Sequence, residues 1–415
     1  MTSDVTDAQP AFYGWRVVKG TLAVAFVAWG FALYGPSVYI DALSRIHGWS
    51  TSSVSLALSM AFLVNALSIG FVGTLIGRHG PRAVMSVGAI VMASGIATLG
   101  LVSEPWQMVA AFVAMGLGWS CLSTIAVSAT IAPWFEKYQG RAISTALLGA
   151  SLGGMLGVPI TLLLVQGLGF TNAMTAIGVI VVVTVLPISL FVLKRRPQDL
   201  GLWPDGMPPE ARETPIDDRQ WTRASALKTF ALRSTIITFG LALMVQLGFL
   251  SQQVKLLQTE ISPTLTGLTV LASGSLAFAG RVVLARLADQ VNIRVAAALV
   301  LVLAAVGLLV AAWAQTGVWL IVGVLLFGLN VGNLTTLPAL IVRREFGAAS
   351  FGKVFGITGT FMQLLNACGP ALFGLLHDST GGYQVPILIA AIVMLAGSLL
   401  ITYGQWPGQR VKAIN

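Results

Sequence analysis

Apolar runs about as long as a bilayer is thick recur along almost the whole chain. A hydrocarbon core roughly 30 Å thick needs about 20 apolar residues in helical geometry. On that window the sequence predicts spans at 15–40, 52–76, 82–102, 106–131, 140–166 and 172–193. A second set follows at 231–257, 264–288, 293–314, 317–342, 351–376 and 383–405. One polar stretch separates the sets, Lys194 to Phe230, rich in charge and in proline (Pro197, Pro204, Pro208, Pro209, Pro215). It reads as a linker between two bundles rather than a third domain. The expected architecture is an all-α membrane protein with twelve transmembrane helices in two six-helix halves, 1–193 and 231–415, joined by 194–230.

The halves also repeat. Leu75 and Leu287 stand 212 positions apart, Gly140 and Gly352 also 212, and Pro159 and Pro370 211. A shared offset argues for two six-helix units in parallel orientation, the arrangement of a rocking, alternating-access carrier with its site between them.

Composition narrows the class further. Apolar residues make up 56% of the 415 and charged residues 9%, where a soluble domain carries roughly 25% charged. The 45 glycines suit the close backbone approach of helices in lipid. The net charge of +9 does not point to nucleic acid, because of where the cations lie. All Lys and Arg except Arg45, Lys255 and Arg281 fall on loops and helix ends of one side. That asymmetry marks the cytoplasmic side, with both termini on it, and reports contact with anionic lipid. The segment from Met1 to Ala11 is polar and holds Asp4 and Asp7 but no basic residue. It does not read as a cleaved leader, so the first helix is expected to remain a span of a cell (plasma or inner) membrane protein.

Several function classes drop out. Cys121 and Cys368 lie in apolar stretches and read as small apolar side chains. His47, His79 and His377 are scattered without metal-ligand spacing, and no metal or cofactor is expected. No cluster of acids, His or Cys sits within the spans, which argues against an enzyme. No soluble segment longer than the linker is present to signal from, which argues against a receptor. A monomer is expected.

The loop Gly73-Thr-Leu-Ile-Gly-Arg78-His-Gly80-Pro-Arg82 resembles the loop signature of the major facilitator superfamily, G-x-L-x-D-R-x-G-x-R. Gly77 replaces the family's Asp, whereas Asp289 keeps it in the second copy and Gln290 replaces the Arg that follows. The resemblance assigns Gly73, Arg78 and Asp289 to a latch between helix ends. Further motifs are similar to the monocarboxylate-transporter and oxalate–formate-antiporter branch. They are Tyr13-Gly14-Trp15, Gly48-Trp49-Ser50, Trp134-Phe135 with Gly140-Arg141-Ala142 and Gly149, Gly153 and Gly157, and Gly280-Arg281 ahead of Ala285-x-Leu287-Ala288-Asp289. Gly369-Pro370, Gly374, Asp378 and Gly381-Gly382-Tyr383 complete the series.

Physical chemistry singles out Arg281 independently. It is the cation set plainly inside a span, where a charge costs roughly 2.5–3.5 kcal/mol on insertion scales. Guanidinium does not discharge by losing its proton, and its planar fork matches a carboxylate with two parallel hydrogen bonds. Arg281 is therefore the expected anchor for a substrate carboxylate, against the alternative of an arginine tied to interhelical carbonyls. Animal monocarboxylate carriers place an Asp one turn before this Arg and a Lys after a Pro in the first helix. Here those positions are Ala277 and Ser37. Proton symport, anion exchange and facilitated diffusion all stay open, with the substrate acid, Asp41 or Glu260 as proton routes. Dicarboxylate carriers of the branch add a Lys deep in the eleventh helix. This chain reads Phe361-Met362-Gln363-Leu364 there, with Lys353 back at the helix start. One fixed charge favours a monocarboxylate such as lactate, pyruvate or a hydroxy acid, with another organic anion or drug as the alternative. Further candidates to line the cleft are Tyr34, Trp119, Ser123, Gln246, Asn330, Asn333, Phe361 and Gln363. Each is weighed against plain helix packing or an interhelical hydrogen bond. Lys255 reads as an interfacial lysine or an attractor of anions at the mouth.

Overall fold

A computed structural model describes residues 12–136, 138–194, 196–206, 221–287, 290–313 and 316–404. Asp289, the segment from Met1 to Ala11, and Pro208, Pro209 and Pro215 lie outside the described residues. Eleven described helices are long and apolar enough to cross a membrane. One of them, Thr51–Leu99, runs to 49 residues and divides at Gly80, which makes twelve spans. We number them α1 (Gly14–His47), α2 (51–79), α3 (81–99), α4 (Pro105–Trp134), α5 (Gln139–Leu168) and α6 (Phe170–Val192). After the linker come α7 (Phe230–Leu257), α8 (Pro263–Leu287), α9 (Ile293–Ala312), α10 (Gly317–Phe346), α11 (348–380) and α12 (Gln384–Tyr403). Helices are the expected answer for this composition, because in lipid every backbone donor must find its acceptor within the segment.

Local chemistry sets the boundaries. Gly48 ends α1 in the left-handed region (φ 67°), and the Ser50 hydroxyl then caps α2 by accepting from Ser53 N–H at 3.2 Å. Gly80 takes φ 82° and ψ 161° ahead of Pro81. That region is essentially open to glycine alone, and the proline disfavours a helical residue before it. The turn between α2 and α3 is therefore built from the loop signature itself. The Asn292 side chain caps α9 by accepting from Arg294 N–H at 3.0 Å, and Gly381 ends α11 at φ 73°.

Small residues let α1 and α5 approach closely. A Cβ on Gly153 would stand 2.6 Å from the Phe26 carbonyl oxygen, and one on Gly157 2.6 Å from the Gly30 Cα. Across the basic ends of the second set runs a buried ion pair that the sequence did not suggest. Arg294 and Glu345, each 1% exposed at the side chain, pair in bidentate fashion at 2.5 and 2.8 Å. The guanidinium also donates to Ser234 Oγ and to the carbonyls of Ile401 and Ala231. Four helices, α7, α9, α10 and α12, meet at this one group. Arg82, 212 positions earlier, does a similar task more sparingly, donating to the Leu193 carbonyl at 2.7 Å.

Both described ends of the linker are docked. The Asp205 carboxylate accepts from the Glu136 N–H at 2.8 Å, ahead of α5. At the other end Trp221 stacks edge-on against Phe346 of α10, and its N–H donates to Ser350 Oγ of α11 at 2.8 Å.

The two sets of helices touch mainly at the face opposite the basic ends. Gln252 of α7 donates to Ser55 of α2 (2.6 Å), and Arg45 of α1 to Gln258 after α7 (3.0 Å). The Asp378 carboxylate of α11 accepts from Ser52 N–H of α2 at 2.7 Å. At the break in α11 after Ala367, the freed Ala371 N–H finds Ser59 Oγ of α2 at 2.8 Å. Glycines at both ends of the helices have room beside them. A Cβ on Gly77, Gly140, Gly352 or Gly356 would meet nothing within 4 Å. Among the described residues, the side-chain bonds between the two sets gather at the face opposite the basic ends and at Arg281.

Candidate functional site

Irregular helices shape the centre. In α1 the Gly35 N–H reaches back five residues to the Gly30 carbonyl at 2.8 Å, a π turn over Trp29–Tyr34. Such turns recur at functional sites because the extra residue redirects the side chains around it. In α4 the helix stops at Ser120 and restarts at Thr124. Tyr34, Trp119 and Ser123 all lie at or beside these interruptions, which place unwound backbone at the depth where carriers bind cargo.

Arg281 stands on α8 where the two sets meet. Its Nη1 donates to Ser151 Oγ of α5 at 3.1 Å, its Nη2 to Thr335 Oγ1 of α10 at 3.2 Å, and its Nε to the Gly332 carbonyl at 3.4 Å. The Tyr34 phenol is its electrostatic neighbour. Among the described residues no carboxylate pairs with it. The contrast with Arg294 is instructive. Arg294 has a bidentate carboxylate and four further oxygens at 2.9–3.4 Å, whereas Arg281 has three neutral oxygens at 3.1–3.4 Å. A planar fork matches a carboxylate with two parallel bonds, and among the described residues Arg281 has no such pair.

The remaining candidates divide. Asn333 of α10 is 6% exposed and lies beside the Arg281 turn: its Nδ2 is 3.4 Å from where a Cβ on Gly280 would stand. The buried Asn333 Oδ1, Gln246 Oε1, Ser123 Oγ and Trp119 Nε1 have no hydrogen-bond partner among the described residues. The same holds for Ser44, Ser86, Trp134, Ser189 and Gln253, which are not lining candidates, so the lack of a partner does not by itself single out the four. The Trp119 indole meets Trp29 and Phe62 edge-on at 6.0 and 5.6 Å, a wall of three rings. Asn330, by contrast, donates to the Leu326 carbonyl of its own helix at 2.9 Å. Gln363 accepts from Asn366, also within its helix, at 3.1 Å. Phe361 is 43% exposed and is not drawn to Arg281 by any contact. Gly73 approaches Ile125 of α4, and Arg78 is exposed on the basic face.

Sequence reasoning missed Ser151, Thr335, Trp29 and Phe62. Ser151 hides in the glycine run of α5, and its tie to α8 depends on the register of two helices in different halves. The Trp29 signal was available, since it lies one turn from Tyr34 on an irregular helix. Lys255, an interfacial lysine or an attractor of anions at the mouth on sequence grounds, donates its Nζ to Thr51 Oγ1 of the other set.

A family model described as Major Facilitator Superfamily matches residues 20–365 and 229–412 of the chain. "MFS-type transporter 1" of an Ophiocordyceps species is 25% identical, covering 94% of this chain and 85% of that one. Human "Monocarboxylate transporter 11" is 24% identical, over 94% of this chain and 82% of its own. Among solved structures, a bacterial homologue of the human lysosomal transporter Spinster, inward-facing and occupied, superposes with a TM-score of 0.75 at 11% identity. It covers 95% of this chain and 97% of that one.

Proposed function

The chain belongs to the Major Facilitator Superfamily, and we propose that it carries a small monocarboxylate through the membrane by alternating access, with Arg281 as the anchor. In this reading the bundles 1–193 and 231–415 rock about the site while the linker 194–230 keeps them tethered. The basic face is, in this reading, the cytoplasmic one, both termini lie on it, and the protein is a multi-pass protein of the cell membrane. The chain acts as a monomer.

The observation that carries the reading is the state of Arg281: a cation inside the membrane, shared between both bundles, with neutral oxygens in place of an acid. An incoming carboxylate would replace the bonds to the neutral Ser151 and Thr335 hydroxyls with two parallel ones to an anion. Because Ser151 belongs to one bundle and Arg281 to the other, the anion would be gripped from both sides. The π turn delivers Tyr34 to the same place. The unpartnered atoms of Trp119, Ser123, Gln246 and Asn333 would take a hydroxyl or keto oxygen, and the Trp29–Phe62–Trp119 wall a short apolar tail. The similarity to a human protein named as a monocarboxylate transporter supports the same cargo class.

A second reading, an exporter or exchanger of another organic anion or drug, draws on a relative named "Aspyridones efflux protein apdF" of Emericella nidulans. Uptake of radiolabelled acids into proteoliposomes, with and without an imposed pH gradient, separates the readings. Lactate, pyruvate or a hydroxy acid should enter and compete with one another, and dicarboxylates should compete poorly. If dicarboxylates compete equally, the single-charge argument is wrong.

A further inference from the structure

Tyr34 reaches the centre from α1, and the place of its ring is set by a side chain that α5 lacks. A Cβ on the buried Gly154 would stand 2.9 Å from Tyr34 Cζ, 3.0 Å from Cε2 and 3.2 Å from the phenol oxygen. The end of the ring therefore fills the space that any other residue at 154 would claim. Ser151, one turn earlier on the same face of α5, accepts from Arg281 Nη1 at 3.1 Å. Phenol and guanidinium are thus neighbours along one helix face. The Ser37 hydroxyl bonds the Tyr34 carbonyl at 2.9 Å, but the Tyr34 hydroxyl has no hydrogen-bond partner among the described residues, and the side chain is partly exposed. Contact with Gly154 is what positions the ring.

The backbones on either side are not free to give way. A Cβ on Gly153 would stand 2.7 Å from Gly30 N, and one on Gly157 2.6 Å from Gly30 Cα, so α1 and α5 already touch backbone to backbone on both sides of Gly154. The stretch of α1 that carries Tyr34 is pinned as well. Its π turn commits the Gly35 N–H to the Gly30 carbonyl at 2.8 Å, and Pro36 has no N–H to offer the Phe31 carbonyl. The buried Tyr39 hydroxyl supplies that bond instead, at 3.0 Å. Room for a Cβ at 154 must then come from the Tyr34 ring, which has to move about 1 Å to reach ordinary contact. The direction is away from α5, into the space between the bundles where Arg281 lies. Resting on the carboxylate reading above, we propose that Gly154 is a specificity-determining residue. By leaving the phenol against α5, it keeps space beside Arg281 for acids that carry a hydroxyl, keto or alkyl group next to the carboxylate. With a Cβ at 154 the same anchor takes the smallest acids alone. One methylene of misfit in a pocket separates cargoes by roughly 10- to 200-fold, so a ring shift of this size changes selectivity without touching the anchor.

Uptake of formate, pyruvate and lactate into proteoliposomes tests this in the wild type, in Gly154→Ala and in Gly154→Ala with Tyr34→Ala. Gly154→Ala should keep formate uptake and lower the pyruvate-to-formate and lactate-to-formate ratios by at least roughly tenfold. Removing the displaced ring in the double variant should restore both ratios, which a general packing defect would not do. Tyr34→Ala alone should admit a bulkier acid, 2-oxoisovalerate, relative to formate; it leaves α5 unaltered and so covers the case in which Gly154→Ala fails to fold. An unchanged ratio in Gly154→Ala, an equal loss for every acid, or a double variant that stays selective overturns the proposal, as does Tyr34→Ala without broader uptake. A measurement without cargo separates this from the carboxylate reading itself. Thr335, exposed beside Arg281 Nη2 at 3.2 Å, is replaced by cysteine in a background lacking Cys121 and Cys368 and labelled with methyl and benzyl methanethiosulfonate. Gly154→Ala should slow the benzyl reagent more than the methyl one, and the double variant should not. That pattern in a protein that moves none of the acids would sink the carboxylate reading and leave Gly154 as the residue that sizes the site. Equal rates for both reagents with and without Gly154→Ala overturn the sizing role.

Discussion

Two arginines in this chain sit among helices, and their surroundings separate a structural group from a functional one. Arg294 has its full complement of partners, led by Glu345. Breaking a buried pair by removing one partner costs about 3–5 kcal/mol, so Glu345→Gln should lower the thermal unfolding midpoint of purified protein while leaving ligand affinity in the surviving fraction unchanged. Arg281 predicts the reverse pattern. Arg281→Lys keeps the cation and leaves no buried carboxylate behind, so it should move the unfolding midpoint less than Glu345→Gln does. Lysine offers a point charge without the planar fork. Losing one charged hydrogen bond is worth about 1.5–3 kcal/mol, so the apparent affinity for a monocarboxylate should fall roughly 10- to 100-fold. Arg281 was legible in the sequence because a charge inside a span stands out against apolar neighbours. Arg294 and Glu345 were not, because charges at helix ends are ordinary, and only the packing of four helices shows that these two are buried. Gln246 and Asn333 were legible as polar residues in spans, but so were Asn330 and Gln363. What separates the pairs is whether a same-helix partner lies in reach, which depends on rotamers.

The helices themselves follow the hydropathy closely, and departures from it have local causes. The first span was expected to end near 40 but continues to His47. The π turn and Pro36 bend α1 without ending it, since proline is tolerated in the first turn of a helix. The interruption of α4 at Cys121–Ser123 was not legible, because neither glycine nor proline marks it. The turn at Gly80 was, through the loop signature. Its φ of 82° with ψ of 161° belongs to a region that costs other residues about 1–3 kcal/mol. Gly80→Ala should therefore lower the unfolding midpoint, measured on detergent-purified protein. Gly153→Leu should be worse for assembly, because its side chain would enter the α1 backbone at Phe26 and Gly30. Monodisperse yield on size exclusion reads that loss.

At the scale of the molecule, the side-chain bonds between the two sets of helices are concentrated at one face and at Arg281. A carrier that works by rocking must break the bonds at that face to complete a cycle. Joining Ser59→Cys on α2 to Ala371→Cys on α11 with a short thiol cross-linker, in a background lacking Cys121 and Cys368, should stop flux. Cleaving a reducible linker should restore it. The repeat at 212 positions leads to the expectation of two equivalent bundles, but it carries no information on which helix ends meet, because that depends on side chains from both sets. The central claim is that a carboxylate cargo is held by Arg281. It is tested most directly by monocarboxylate exchange in proteoliposomes of the wild type and of Arg281→Ala, both shown to be folded by their unfolding midpoints. Wild-type exchange with a loss of at least about tenfold in the variant is the predicted result. Exchange that survives the substitution undiminished contradicts it.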